Sequence, residues 1–66
     1  MDKMNKGISK VVGCEVFSSE RYENGFSFCV ATELEAYKAA YAYQSMTHVT
    51  VRYSTNLECW LVQVYK

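Results

Sequence analysis

The chain has 66 residues, of which 50% are hydrophobic and 15% aromatic, with no proline and a formal net charge of zero. That size makes one domain, residues 1–66, and the hydrophobic content excludes a disordered chain, while charge balance argues against a nonspecific polyanion binder. The odd, widely spaced set Cys14, Cys29 and Cys59 lacks a Cys-x-x-Cys pair, so reduced, buried thiols are expected rather than a disulfide framework, and neither a metal nor a cofactor is called for.

The first residues, MDKMNKGISK, carry charges at Asp2, Lys3, Lys6 and Lys10 with no apolar run behind them. Residues 1–7 are expected as a flexible N-terminus and not as a secretory signal. No window approaches the roughly eighteen apolar residues of a membrane span, so the expected location is the cytoplasm. Charge is uneven along the chain: residues 11–35 hold five glutamates against Arg21, flanked by positive segments.

Residues 8–17 read as a first strand, with Val12, Cys14 and Val16 on one side, and Phe26, Phe28 and Val30 alternate in a second. Asn24-Gly25 is a turn signal. A two-residue turn there would pair Glu23 with Phe26, Arg21 with Phe28 and Ser19 with Val30, placing polar side chains along the apolar face. A longer or bulged connection over residues 19–25 is therefore expected.

Thr32-Glu33-Leu34-Glu35 is a capping box opening a helix, and its glutamates suit the positive end of the helix dipole. From it, Leu34, Tyr37, Ala40 and Tyr41 form an i, i+3, i+6, i+7 face, read as the core face. Ala36, Ala39 and Tyr43 fall elsewhere, with Lys38 and Ser45 on a polar flank and Tyr43 exposed. Phe26, Phe28, Tyr37, Tyr41 and Trp60 are the expected large core residues.

Beyond Met46, Val49, Val51 and Tyr53 alternate with His48, Thr50 and Arg52, and Ser54-Thr55-Asn56 turns into a last strand over residues 57–65. That strand is apolar on both sides, with Trp60, Val62 and Val64 on one and Leu57, Cys59, Leu61 and Tyr65 on the other. The expected fold is α+β, a single small β-β-α-β-β domain whose antiparallel sheet carries one helix packed on one face. One helix covers one face, so the other awaits the N-terminal segment, a second copy or a different protein.

Enzyme chemistry finds little footing, and the protein is expected to be non-enzymatic. His48, the single histidine, stands beside Thr47 and Thr50 at an expected edge, and Cys29 sits in an apolar strand with no cation to favour its thiolate. Glu33 and Glu35 point about 160° apart on a helix, and no phosphate-binding glycine loop, G-x-S-x-G or H-E-x-x-H occurs. Aromatic residues could stack bases, but Arg21, Arg52 and scattered lysines form no basic stripe, so direct nucleic-acid binding is not expected.

By elimination, a protein-binding surface is expected to combine exposed tyrosines with the acidic middle of the chain: Glu20, Tyr22 and Glu23 in the first hairpin, Glu33 at the helix start and Tyr43 on the outer helix face. The alternative surface is the outer sheet face around Arg52, Leu61 and Tyr65.

The segment from Phe26 to Val64, through Thr32, Leu34, Tyr37, Ala40, Tyr41, Val49, Val51 and Trp60, resembles the architecture of small phage-encoded proteins, among them anti-CRISPR inhibitors of type I systems. These are cap and core positions. The resemblance implies a phage-derived stoichiometric inhibitor acting in the host cell cytoplasm. It would dock on a defence effector and block nucleic-acid loading or nuclease recruitment. A departure is the lack of the basic surface that some similar inhibitors present. Two other readings stand beside it: a small nucleic-acid-binding or transcription-related module, and a homodimeric structural accessory.

Overall fold

The computed structural model describes residues 3–46 and 48–66. Met4, Ile8 and Val12 recur every fourth residue, and this spacing forms a helix, α1 (Lys3–Val12), that turns Ile8 and Val12 into the core with Met4 packed beside them. Gly13 ends it at φ 78°, a left-handed conformation that glycine adopts without Cβ strain. Its amide donates to the Ser9 carbonyl at 2.9 Å, and the Ser9 hydroxyl donates to the Cys14 carbonyl at 2.6 Å.

The remaining elements are β1 (Ser18–Tyr22), β2 (Gly25–Val30), α2 (Glu33–Ala42), β3 (His48–Ser54) and β4 (Cys59–Tyr65). The strands form one antiparallel sheet in the order β1-β2-β4-β3. Among the described residues the protein is thus a small α+β domain with two helices, and the expected first strand over residues 8–17 is overturned: its first half is helical and its second half a connection. Val12 and Val16 are both buried, but from a helix and a loop rather than from one strand face. Of the expected flexible N-terminus, residues 3–7 are helical and residues 1 and 2 lie outside the described residues, as does Thr47. Among the described residues, no helix is long and apolar enough to cross a membrane.

The first hairpin also departs from expectation. Its loop is Glu23-Asn24, and Tyr22 pairs with Gly25, Arg21 with Phe26 and Ser19 with Phe28. The connection is tight and unbulged, and polar residues do stand beside the apolar face. This is tolerated because β1 lies at the sheet edge, with four of its five residues exposed, and because Asn5 of α1 meets the inward Ser19 hydroxyl through its side-chain oxygen. Gly25 belongs to the strand: a Cβ there would overlap the Val64 carbonyl oxygen.

Phe28, Val30, Val62 and Val64 are fully buried under both helices, with Val49, Val51 and Trp60 packed around them. The second hairpin matches the sequence reading, with Val49, Val51 and Tyr53 paired across from Val64, Val62 and Trp60. Its last strand begins at Cys59, Leu57 falling in the turn. The C-terminus is tied down by the Lys66 amide, which donates to the Asn24 carbonyl at 2.9 Å.

Candidate protein-docking site

Helix α2 starts as its sequence dictates. Thr32 is the N-cap, its hydroxyl accepting from the Glu35 amide at 3.2 Å. The Glu35 carboxylate answers by accepting from the Thr32 hydroxyl at 3.1 Å, so the reciprocal half of the box closes on the side chain and not on the Thr32 amide.

The helix rests on the sheet through the opposite side from the expected one. Ala36 and Ala39 are fully buried, and Tyr43, the C-cap residue, lays its ring edge-on to Phe26 at 5.2 Å and tilted to Phe28 at 6.0 Å. Two alanines let the helix approach the sheet closely, and Tyr43 fills the gap at its end. Burial accordingly pushes the Tyr43 phenol up from its ordinary range. Tyr43 is therefore withdrawn from the partner-binding set, and Leu34, Tyr37 and Tyr41 are withdrawn from the core.

Those three side chains form the candidate site. At 3.6 residues per turn, Leu34 and Tyr41 lie about 180° around the helix from the buried alanine side. Leu34 is 80% exposed, Tyr41 71% and Tyr37 56%. Their i, i+3, i+7 spacing aligns them in one stripe along the outer face. Glu33 stands exposed at the head of this helix, in its first turn. A helix apolar on its outer side as well as its inner one has the pattern of a helix buried on both sides. The signal that could have found the stripe is Ala36 with Ala39, small residues one turn apart that mark the close-packed side.

The opposite side of the molecule is the open face of the sheet. Sheet register puts Glu20, Tyr22, Arg52 and Tyr65 together on this face, because cross-strand partners share a side: Tyr22 pairs with Gly25, which pairs with Tyr65, and Glu20 shares its row with Ser27, Gln63 and Thr50. Glu20 and Tyr22 of the expected surface thus share one face with Arg52, Leu61 and Tyr65 of the alternative one, while Glu23 sits at the hairpin tip. The Tyr22 hydroxyl lies 2.9 Å from the Ser27 hydroxyl and donates to the Glu20 carboxylate at 3.5 Å. A shallow cleft of about 330 Å³ opens between Tyr22, Leu57 and Leu61, floored by Ser27 and Cys29. Both helices pack on the other side, so α1 does not cover this face.

No nucleophile pair forms between Cys29 and His48. Cys29 is opposite Leu61 and His48 opposite Tyr65, which separates them by four residues along β4, about 13 Å, on strands flanking it. His48 is exposed, as expected, with its ring 6.3 Å from Tyr65. Cys29 is buried, Cys14 and Cys59 are half-buried, and all three are free. Burial and then the neighbouring Cys29 thiol push Cys59 up to about 11, and burial raises Cys14. Such thiols hold their protons and are poor nucleophiles at neutral pH. Among the described residues no three His, Cys, Asp or Glu side chains gather to hold a metal ion.

Compared with known proteins, the chain matches no family model, no curated protein and no solved structure.

Proposed function

We propose that the protein is a non-enzymatic binding module that acts by seating α2 in an apolar groove of another protein. The observation that supports this reading is the outward stripe of Leu34, Tyr37 and Tyr41 on a helix whose inner side is already used. Anchors at i, i+3 and i+7 are the pattern by which a helix engages a groove, and tyrosine adds contact area at little rotamer cost. A protein that binds in this way inhibits by occupying a surface. The target class carried by the resemblance, a nucleic-acid-binding defence effector, supplies the first candidates, with Glu33 in the first turn of the same helix favouring a basic rim and a salt-sensitive association rate. The test is capture on immobilised wild-type protein and on Tyr37→Ala/Tyr41→Ala side by side. A partner retained by the first and lost by the second supports the reading; the same partners on both defeat it.

A second reading is favoured by the open sheet, where Tyr22, Tyr65, His48 and Arg52 lie uncovered by either helix. A sheet presenting aromatics can stack unpaired bases. Fluorescence anisotropy with a labelled single-stranded oligonucleotide separates the two: binding that Tyr65→Ala weakens and Tyr37→Ala/Tyr41→Ala leaves intact would favour the nucleic-acid module.

A further inference from the structure

The two edges of the sheet are guarded unequally. The β1 edge is five residues long, carries Glu20 and Arg21, and is approached by Asn5 of α1, whose side-chain amide donates to the Phe17 carbonyl at 3.3 Å. The β3 edge is seven residues long, HVTVRYS, with Arg52 as its one formal charge and neither proline nor glycine. Such an edge offers an unpaired row of backbone donors and acceptors to another strand.

The core layer also stops short at β3. On the helix-covered side, Val62 and Val64 of β4 are fully buried, but Val49 and Val51 beside them are only half-buried and Tyr53 is 50% exposed, its ring edge-on to Trp60 at 5.5 Å. The apolar layer therefore continues to the strand edge and ends there without cover.

We infer that β3 pairs antiparallel with β3 of a second copy of this chain, joining two four-stranded sheets about a two-fold axis at Val51. The occupant and register follow from the strand's own sequence. Centred on Val51, each Val49 faces Tyr53 of the second copy and each Thr50 faces its Arg52, so valine meets tyrosine on the helix side and no like charges oppose each other. Centred on Arg52, the two guanidinium groups would meet. Centred on Thr50, each His48 would meet an arginine. The Val51 register alone pairs all seven β3 residues, each on its present face, and it makes no such pairing. The two-fold arrangement is isologous, and a net charge of zero sets no long-range repulsion between copies. One strand pair is smaller than a standard interface, so this dimer is weak and fills only at high protein concentration.

The test is sedimentation equilibrium of the full chain under reducing conditions across a concentration series. Wild type is expected to dimerise. Thr50→Lys, which sets a lysine against Arg52 of the second copy twice per dimer, is expected to raise the dissociation constant about tenfold. Thr50→Lys/Arg52→Glu, which makes both contacts attractive, is expected to restore it. Should Thr50→Lys fail to fold, hydrogen exchange of the wild type decides, with outward β3 amides losing protection on dilution. Wild type that stays monomeric up to about 1 mM overturns the inference. So does a dimer that ignores Thr50→Lys, or one that the charge swap does not rescue. A dimer broken instead by Tyr37→Ala/Tyr41→Ala places self-association on α2 and leaves the β3 pairing refuted.

Discussion

Gly25 lies so close to Val64 that a Cβ at this position would overlap the Val64 carbonyl oxygen and fall 2.9 Å from the Tyr65 Cα. Both obstacles are backbone atoms of the neighbouring strand, so neither can swing aside. Gly25→Ala is expected to cost about 2–3 kcal/mol by forcing β4 away from β2, read as a lower urea midpoint. Wild-type stability in this variant would show that the strands are not in this contact.

The orientation of α2 is tested by size. Tyr37→Ala and Tyr41→Ala are each expected to change stability by no more than about 0.5 kcal/mol, because both side chains face outward. Ala39→Leu is expected to cost about 1–3 kcal/mol by wedging the helix off the sheet. The reverse ranking in thermal melts would mean that the tyrosines face the core.

These two positions show what was legible in the sequence. The helix start at Thr32, the second hairpin and the two-sided apolar character of β4 were readable because each is set by local chemistry or strict alternation. The rotation of α2 was not, since apolar residues surround the helix and hydrophobicity alone selects no side. Closeness of packing selected Ala36 and Ala39. In the N-terminal segment, Met4, Ile8 and Val12 at period four competed with Val12, Cys14 and Val16 at period two, and Gly13 as a helix stop decides for the former. The candidate site on α2 reads as core in the sequence, its Leu34, Tyr37 and Tyr41 being exposed instead. On the other side of the molecule Glu20, Tyr22, Arg52 and Tyr65 were recognised as surface, but their gathering on one face depends on strand order.

The cap at Thr32 is expected to be purely structural. Thr32→Ala should lower stability by about 1 kcal/mol by removing the bond to the Glu35 amide, while partner affinity in the folded protein stays within about threefold of wild type. A tenfold loss of affinity in fully folded Thr32→Ala would place the cap inside the interface.

Alkaline stability follows from Cys59. Its folded-state pKa is raised from 9.0 to about 11, so the folded state holds this proton more tightly than the unfolded chain does. The corresponding stabilisation is fully present below about pH 9 and is lost as pH rises toward 11. Tyr43, also raised by burial, acts in the same direction from about pH 10 upward. Melting temperatures between pH 8 and 11 should therefore fall less steeply in Cys59→Ser than in wild type, and parallel profiles would mean that Cys59 is not the titrating group.

If Leu34, Tyr37 and Tyr41 anchor a protein interface, truncating the two tyrosines removes its largest contacts. The most direct measurement is the affinity of a purified captured partner for wild type, Tyr37→Ala/Tyr41→Ala and Glu20→Ala/Tyr22→Ala, each first checked for an unchanged melting temperature. A loss of at least about thirtyfold is expected for the α2 pair and little change for the sheet-face pair. Wild-type affinity in the α2 variant, with the loss appearing in the sheet-face variant, would contradict it.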